Sequence, residues 1–296
     1  MSDSDSDYED TPPTKETKSS QPLFVIDKKD PQIITLVGAP KSGKTTLLKA
    51  ILYRYAYREK FFKSGLIFSP NDDGSMESWI DEKYIISRYS QDSFLGYIEK
   101  LRKKQEAKRA EWRKAGRKKD YKLPPNFLVL DDLALKINWY SPDIQDWLSR
   151  FRKTNTWVFI TSQYLNQGSS TSLREYTRIF AFFSQETLQA RTGAYRAAGG
   201  LYDKKDFYRI LTDATNQQFT ALVVNRENPV DKRVFRFKCE LPPEGWKITF
   251  GKDERGRHQQ GKQEHGNSSA QNAANPNDIL NVIDSAVARY HASSRQ

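Results

Sequence analysis

The sequence predicts an α/β fold, a mostly parallel sheet with helices on both faces. Two observations predict it. Short apolar runs of strand length alternate with stretches of helical periodicity from Gln32 to the helix opening near Lys204, the pattern of right-handed crossover units. One run, Phe127-Leu-Val-Leu130, is apolar at every position, as a strand covered on both faces has to be. A length of 296 residues suits one large domain with tails, or two small ones.

The elements follow in order. Residues 1–22 carry six acids against two lysines and few large apolar side chains. Such a segment cannot offset its ordering entropy, so it reads as a disordered acidic tail. A strand spans Gln32 to Gly38, turns, and enters a helix with Leu47, Leu48, Ile51, Leu52 and Tyr55 on its apolar face. Gly65 to Pro70 is a second strand. A helix opens near Ser90, buries Phe94, Leu95, Ile98 and Leu101, and becomes almost wholly charged before ending around Gly116. Asn126 to Asp131 is the third strand. Ser141-Pro142 is a cap and first-turn pair for a helix through Ile144, Trp147, Leu148 and Phe151. Thr156 to Thr161 and Arg178 to Phe183 are the fourth and fifth strands, followed by helices from about Gln185 and Lys204. Phe219 to Val224 and Val234 to Cys239 read as a terminal hairpin. These elements delimit a domain over 23–250, with a basic helical insertion at 100–122. A polar linker follows at 251–275. The segment 276–296 places Ile279, Ile283, Ala286 and Tyr290 on one helical face, which suits a helix that docks on a partner, a neighbouring subunit or its own domain.

Composition narrows the chemistry. The formal net charge is +11, and the acidic tail leaves the remainder more basic still, which favours a polyanionic partner through counterion release. The one cysteine, Cys239, permits no internal disulfide and fits a reducing, intracellular compartment. No apolar run is long enough for a transmembrane segment, and no signal peptide opens the chain. The three histidines, His258, His265 and His291, lie beyond the last expected strand, so a Ser-His-Asp triad or a zinc site in the core is not expected.

The strongest motif is Gly38-Ala-Pro-Lys-Ser-Gly43-Lys44-Thr45, which fits GxxxxGK[ST] between a strand and a helix. Gly38, Ala39, Pro40, Lys41, Ser42, Gly43, Lys44, Thr45 and Thr46 form the expected phosphate cradle, all but Pro40 with a backbone N–H to donate. Lys44 reaches the β- and γ-phosphates of a nucleoside triphosphate, ATP or GTP, and the Thr45 hydroxyl ligates Mg2+. The second motif is Leu128-Val-Leu-Asp131-Asp132. A carboxylate at a strand end holds the metal through water and a neighbour polarises the attacking water; Asp131 is assigned to the metal and Asp132 to the water. Gln163 ends the next strand and can sense the γ-phosphate if that strand lies between the first and third. Arg174, just before the fifth strand, is either an arginine offered to a neighbouring subunit's phosphoryl group or a surface arginine paired with Glu175 or Asp143. Arg178 competes with it. From Lys100 to Lys122, twelve basic residues face Glu106, Glu111 and Asp120, either a solvated helix or a surface that tracks phosphates. Trp112 within it could stack on a base.

Together the GAPKSGKTT loop, the LVLDD strand, the ITSQ strand and the LREY segment resemble the genome-packaging ATPases of the HerA–FtsK superfamily, those of poxviruses and other large DNA viruses in particular. The resemblance covers about Gln32 to Phe250. It implies a RecA-like core with strand order 5-1-4-3-2, a hexameric homo-oligomeric ring, and ATP-driven movement of double-stranded DNA into a preformed capsid. Capsid or capsid-associated membrane proteins are the partners it implies. It makes Lys44 and Thr45 the Walker A pair, Asp131 and Asp132 the Walker B pair, Gln163 the polar sensor and Arg174 the arginine finger. Many cellular members have Glu where this chain has Asp132. Two other readings share the motif: a DNA pump for segregation or end processing, and a nucleoside or small-molecule kinase with Arg191 to Arg196 as its lid. No NKxD-type guanine motif supports a GTPase switch.

Overall fold

The computed structural model describes residues 24–70, 74–117, 121–165, 171–199 and 202–250. The acidic tail, the linker, the docking helix, the three histidines and 118–120 of the basic run lie outside the described residues.

Eight strands form one sheet: β1 (Ile33–Val37), β2 (Ser64–Phe68), β3 (Ile85–Ile86), β4 (Asn126–Leu130), β5 (Thr156–Ser162), β6 (Thr177–Phe182), β7 (Thr220–Asn225) and β8 (Val234–Lys238). Their order is β3-β2-β4-β5-β1-β6-β7-β8. Strands from β3 to β6 run parallel, and β7 and β8 run antiparallel. With β1, β2, β4, β5 and β6 counted as five core strands, the order is the 5-1-4-3-2 of the RecA-like P-loop core. The expected hairpin is β7–β8, and it extends the sheet beyond β6.

Alternation along each strand builds two core layers, because successive side chains leave a strand on opposite faces. Leu128, Leu130, Val158 and Ile160 point to the layer containing Phe94, Trp147 and Phe207. Phe127, Val129, Trp157 and Phe159 point to the layer containing Leu47, Leu48 and Ile51. Helices α2 (Gln91–Lys114), α3 (Pro142–Arg150), α5 (Leu188–Ala198) and α6 (Lys204–Ala214) serve the first layer, and α1 (Lys44–Leu52) the second. The chain after β8 continues beneath the second layer: Trp246 packs on Tyr53, Tyr57 and Trp79, and Phe250 on Tyr84 and Phe127.

Local signals set the helix ends. Ser90 and Ser93 form a reciprocal cap, with Ser93 N donating to Ser90 Oγ at 3.1 Å and Ser90 N to Ser93 Oγ at 3.3 Å. Gly116, at φ +71°, follows the end of α2. Ser141 Oγ accepts from Ile144 N at 3.3 Å, with Pro142 in the first turn of α3. Three features were not expected. Strand β3 and helix α4 (Thr171–Tyr176) are only two and six residues long, too short to leave a period. After Leu52 the chain widens into a π-helical turn, Tyr53–Arg58, where α-helical periodicity was expected through Tyr55. There the Tyr55 hydroxyl accepts from Ile26 N at 3.2 Å, a long-range bond that no local pattern encodes.

Candidate nucleotide-binding site

The glycine-rich turn grows directly out of β1, every residue of which is buried. Gly38 N donates to Ser162 O at the end of β5 (3.1 Å) and Ala39 N to Ser184 O after β6 (3.4 Å), so both flanking strands tie the turn down. Lys41 is at φ +60° and Gly43 at φ +117°. A Cβ on Gly43 would lie 2.9 Å from Phe183 Cε1 and 3.2 Å from Phe219 Cα, so only glycine fits. Helix α1 begins at Lys44 with no side-chain cap and no acid in its first turn. Its first amides and its positive dipole end are therefore left for an anion. Gly43→Ala is expected to weaken binding of a non-hydrolysable ATP analogue by about fivefold to a hundredfold, since backbone strain of this kind costs about 1–3 kcal/mol. Titration calorimetry of the variant checks this.

Lys44 is buried and folds back over the turn, its Nζ donating to Gly38 O at 2.8 Å and Ala39 O at 2.9 Å. Burial pushes its pKa below the ordinary lysine value, and the carboxylates of Asp132 and Asp131 oppose that shift. The turn after β1 and the acids after β4 thus share one electrostatic neighbourhood, although β5 separates their strands.

Asp131 is fixed on both sides. Its Oδ2 accepts from Ser69 Oγ at 2.7 Å, one residue past β2, and its Oδ1 from Thr161 Oγ1 at 2.6 Å, on β5. Burial raises its carboxyl pKa, against the two hydroxyl donors. Thr161 Oγ1 also accepts from Asp132 N at 2.9 Å. Asp132 sits at φ +50°, and its Oδ1 is buried without a hydrogen-bond partner among the described residues. Left-handed backbone in a non-glycine residue and an orphaned buried acceptor both concentrate at functional sites. The donors available here, the Thr45 hydroxyl and the Asp131 and Asp132 carboxylates, are all oxygen, and magnesium is typically held by one or two carboxylates plus phosphates and water.

Gln163 is exposed, one residue past β5, and β5 does lie between β1 and β4. Arg174 is not brought to this site. It lies on α4 at the amino end of β6, where Thr177 pairs with Ile33, whereas the turn follows Val37 at the other end. Its Nη2 donates to Thr171 Oγ1 at 3.3 Å. Arg178 Nε is 3.7 Å from Glu227 Oε1. Trp112, considered as a platform for a base, carries the Arg117 guanidinium 3.9 Å from its ring centroid, and the Tyr121 ring lies 5.5 Å away. Arg191, at the start of the imagined kinase lid, donates to Gln185 O at 2.9 Å.

Four residues here escaped sequence reasoning. Gln185 is buried and its Nε2 donates to Val37 O (3.2 Å) and Phe183 O (3.0 Å), bracing the root of the turn. Ser69 and Thr161 hold Asp131. Arg226 donates to Arg174 O, Thr177 O and Ala197 O, fastening the segment that carries Arg174. Ser69, Thr161 and Gln185 are polar residues at or just past the carboxyl ends of strands, the one signal that could have found them.

No protein-family model and no curated protein sequence matches the chain. Solved structures of similar fold include the genome packaging NTPase B204 from Sulfolobus turreted icosahedral virus 2 in complex with AMP. It is 14% identical with a TM-score of 0.49, covering 73% of this chain and 100% of that one. EssC (ATPases 2 and 3) from Geobacillus thermodenitrificans is 12% identical with a TM-score of 0.49, covering 74% of this chain and 41% of that one. The type VII secretion ATPase EccC of Thermomonospora curvata is 16% identical with a TM-score of 0.45, covering 72% and 26%. These likenesses are of fold only; the roles of the residues rest on the site itself.

Proposed function

We propose that this chain is a magnesium-dependent ATPase that moves double-stranded DNA, and that it works as a homo-oligomeric, hexameric ring packaging viral DNA into a capsid. The observation that carries the ATPase reading is the buried Lys44 ammonium at the neck of the turn, in the field of Asp131 and Asp132. In this reading residues 38–46 cradle the phosphates and Lys44 leaves its two carbonyls for the β- and γ-phosphates. Asp132 Oδ1 takes a hydrogen from the attacking water, and Gln163 senses the γ-phosphate. Thr45 and Asp131 are the residues that would hold the metal, which would supply positive charge against the negative charge that develops on the transferring phosphoryl group.

Support for a ring comes from Arg174, whose helix precedes β6 at the sheet end opposite its own chain's turn, so a role at a phosphate would have to be toward a second copy. Support for DNA comes from the net positive charge of α2, which carries eight lysines and arginines against four acids. The division into an acidic tail at 1–22, an ATPase domain at 23–250, a linker at 251–275 and a docking helix at 276–296 belongs to the same proposal. So do capsid or capsid-associated membrane partners and an intracellular location. No helix of the described residues is long and apolar enough to cross a membrane.

The test is ATP turnover with and without long duplex DNA. Stimulation that falls steeply with added salt is expected; unstimulated turnover with phosphate passed to a nucleoside would establish a kinase instead. Cofractionation with capsid protein separates packaging from a segregation or end-processing pump. Arg174→Ala alone is expected to lose about 10³-fold in turnover, the low end for an arginine finger. Mixing it with Asp132→Asn subunits is expected to restore part of the rate, since each mutant supplies what the other lacks. No recovery on mixing would exclude a role for Arg174 across the interface.

A further inference from the structure

We infer that Ser69 and Thr161 are positioning residues that hold Asp131 and Asp132 for metal and water, an inference that rests on the ATPase reading. Both hydroxyl residues are fully buried. They come from the two strands that flank β4, so the acids at its end are gripped from either side. Ser69 is itself fixed, its amide donating to Ile86 O at 3.0 Å. Thr161 stands in the ladder opposite Leu36, two residues before the glycine-rich turn.

Two consequences follow from the hydrogen-bond directions. Each oxygen of Asp131 accepts one hydroxyl hydrogen, which fixes the plane of the carboxylate and leaves further lone pairs for a metal-bound water. A carboxylate held in this way is also kept from closing on Lys44, whose ammonium donates to Gly38 O and Ala39 O instead. The second consequence concerns Thr161, which spends its hydrogen on Asp131 and accepts the amide of Asp132 on its own oxygen. One hydroxyl therefore orients the carboxylate of one acid and the backbone of the next, and ties both to the strand that ends at Gln163. Valine has the shape of threonine and can make neither bond; serine can make both.

Mn2+ binding in the presence of ADP, followed by electron paramagnetic resonance, tests this on the full chain. Outer-shell partners of metal ligands typically contribute 10- to 100-fold to metal affinity. Thr161→Val is expected to weaken Mn2+ binding by about that range and Ser69→Ala by about tenfold. Thr161→Ser is expected to stay within about threefold of wild type, a rescue that a merely space-filling role would not produce. Binding of a fluorescent ATP analogue in EDTA is expected to be unchanged in all three. Wild-type Mn2+ affinity in Thr161→Val, or a Thr161→Ser as weak as the valine variant, would overturn the inference. If the valine variant fails to fold, Ser69→Ala decides alone: wild-type Mn2+ affinity there overturns it. Lys44→Ala run alongside separates the two levels. A dead Lys44→Ala with unaffected Ser69 and Thr161 variants removes only this inference, whereas an active Lys44→Ala removes the ATPase reading beneath it.

Discussion

Lys44→Ala stops ATP turnover, with kcat at least about 10²–10³-fold lower, the loss seen when one preorganised electrostatic group is taken from a reacting centre. The expectation follows from where the ammonium sits. It is buried at the neck of the turn and donates to the carbonyls of Gly38 and Ala39, an arrangement a triphosphate can take over without moving the backbone. Burial weakens the hold on its proton, and an incoming anion opposes that shift. The variant should still fold. Losing charged hydrogen bonds to two carbonyls costs about 1.5–3 kcal/mol each at most, and the exposed rim at Pro40 and Lys41 admits water to replace them. Phosphate release and a thermal melt on the same sample distinguish a dead site from a lost fold. Wild-type release from a folded variant would mean the turn does not cradle the reacting phosphates.

The parts of this molecule legible in the sequence are those governed by neighbours along the chain. The strand, turn and helix from Gln32 to Leu52, the helix start near Ser90, the Ser141 cap and the helix end around Gly116 are all local statements, and each appears where the sequence puts it. Strand order is a different matter: periodicity says that strands alternate with helices and is silent on which strands pair. That order came with the motif resemblance. The contacts that shape the site were not legible because they join residues far apart. Ser69, Asp131 and Thr161 are drawn together from three strands, and Arg226 reaches back to Arg174 and Thr177. The placement of Arg174 was accessible in principle. A segment that precedes a strand parallel to β1 has to sit at the end opposite the turn. The Trp112 ring already has a partner for a simple local reason, Arg117 five residues on.

Asp132→Asn separates hydrolysis from binding. ATP affinity is expected to stay within about threefold of wild type while turnover falls by about 10²–10⁴-fold, the usual contribution of a positioned general base. Asparagine suits the backbone here, being one of the few side chains that tolerate the left-handed region, and Asp132 is at φ +50°. The amide of residue 132 keeps its bond to Thr161 in the variant, because that bond uses the backbone. What changes is the charge and the accepting capacity beside Oδ1, the atom that is buried and unpartnered. The paired variant, Asp131→Asn, is expected to behave differently. Burial raises the pKa of Asp131, so its ionised form subtracts from folding stability; that penalty is absent below the unfolded pKa and fully present once the pH exceeds the folded one. An uncharged amide escapes the penalty, so Asp131→Asn should melt above wild type at neutral pH, with the gap closing under acid, while losing metal-dependent turnover. An Asp132→Asn enzyme that hydrolyses ATP at the wild-type rate would move the base elsewhere, with Gln163 unable to replace it since an amide cannot accept the proton.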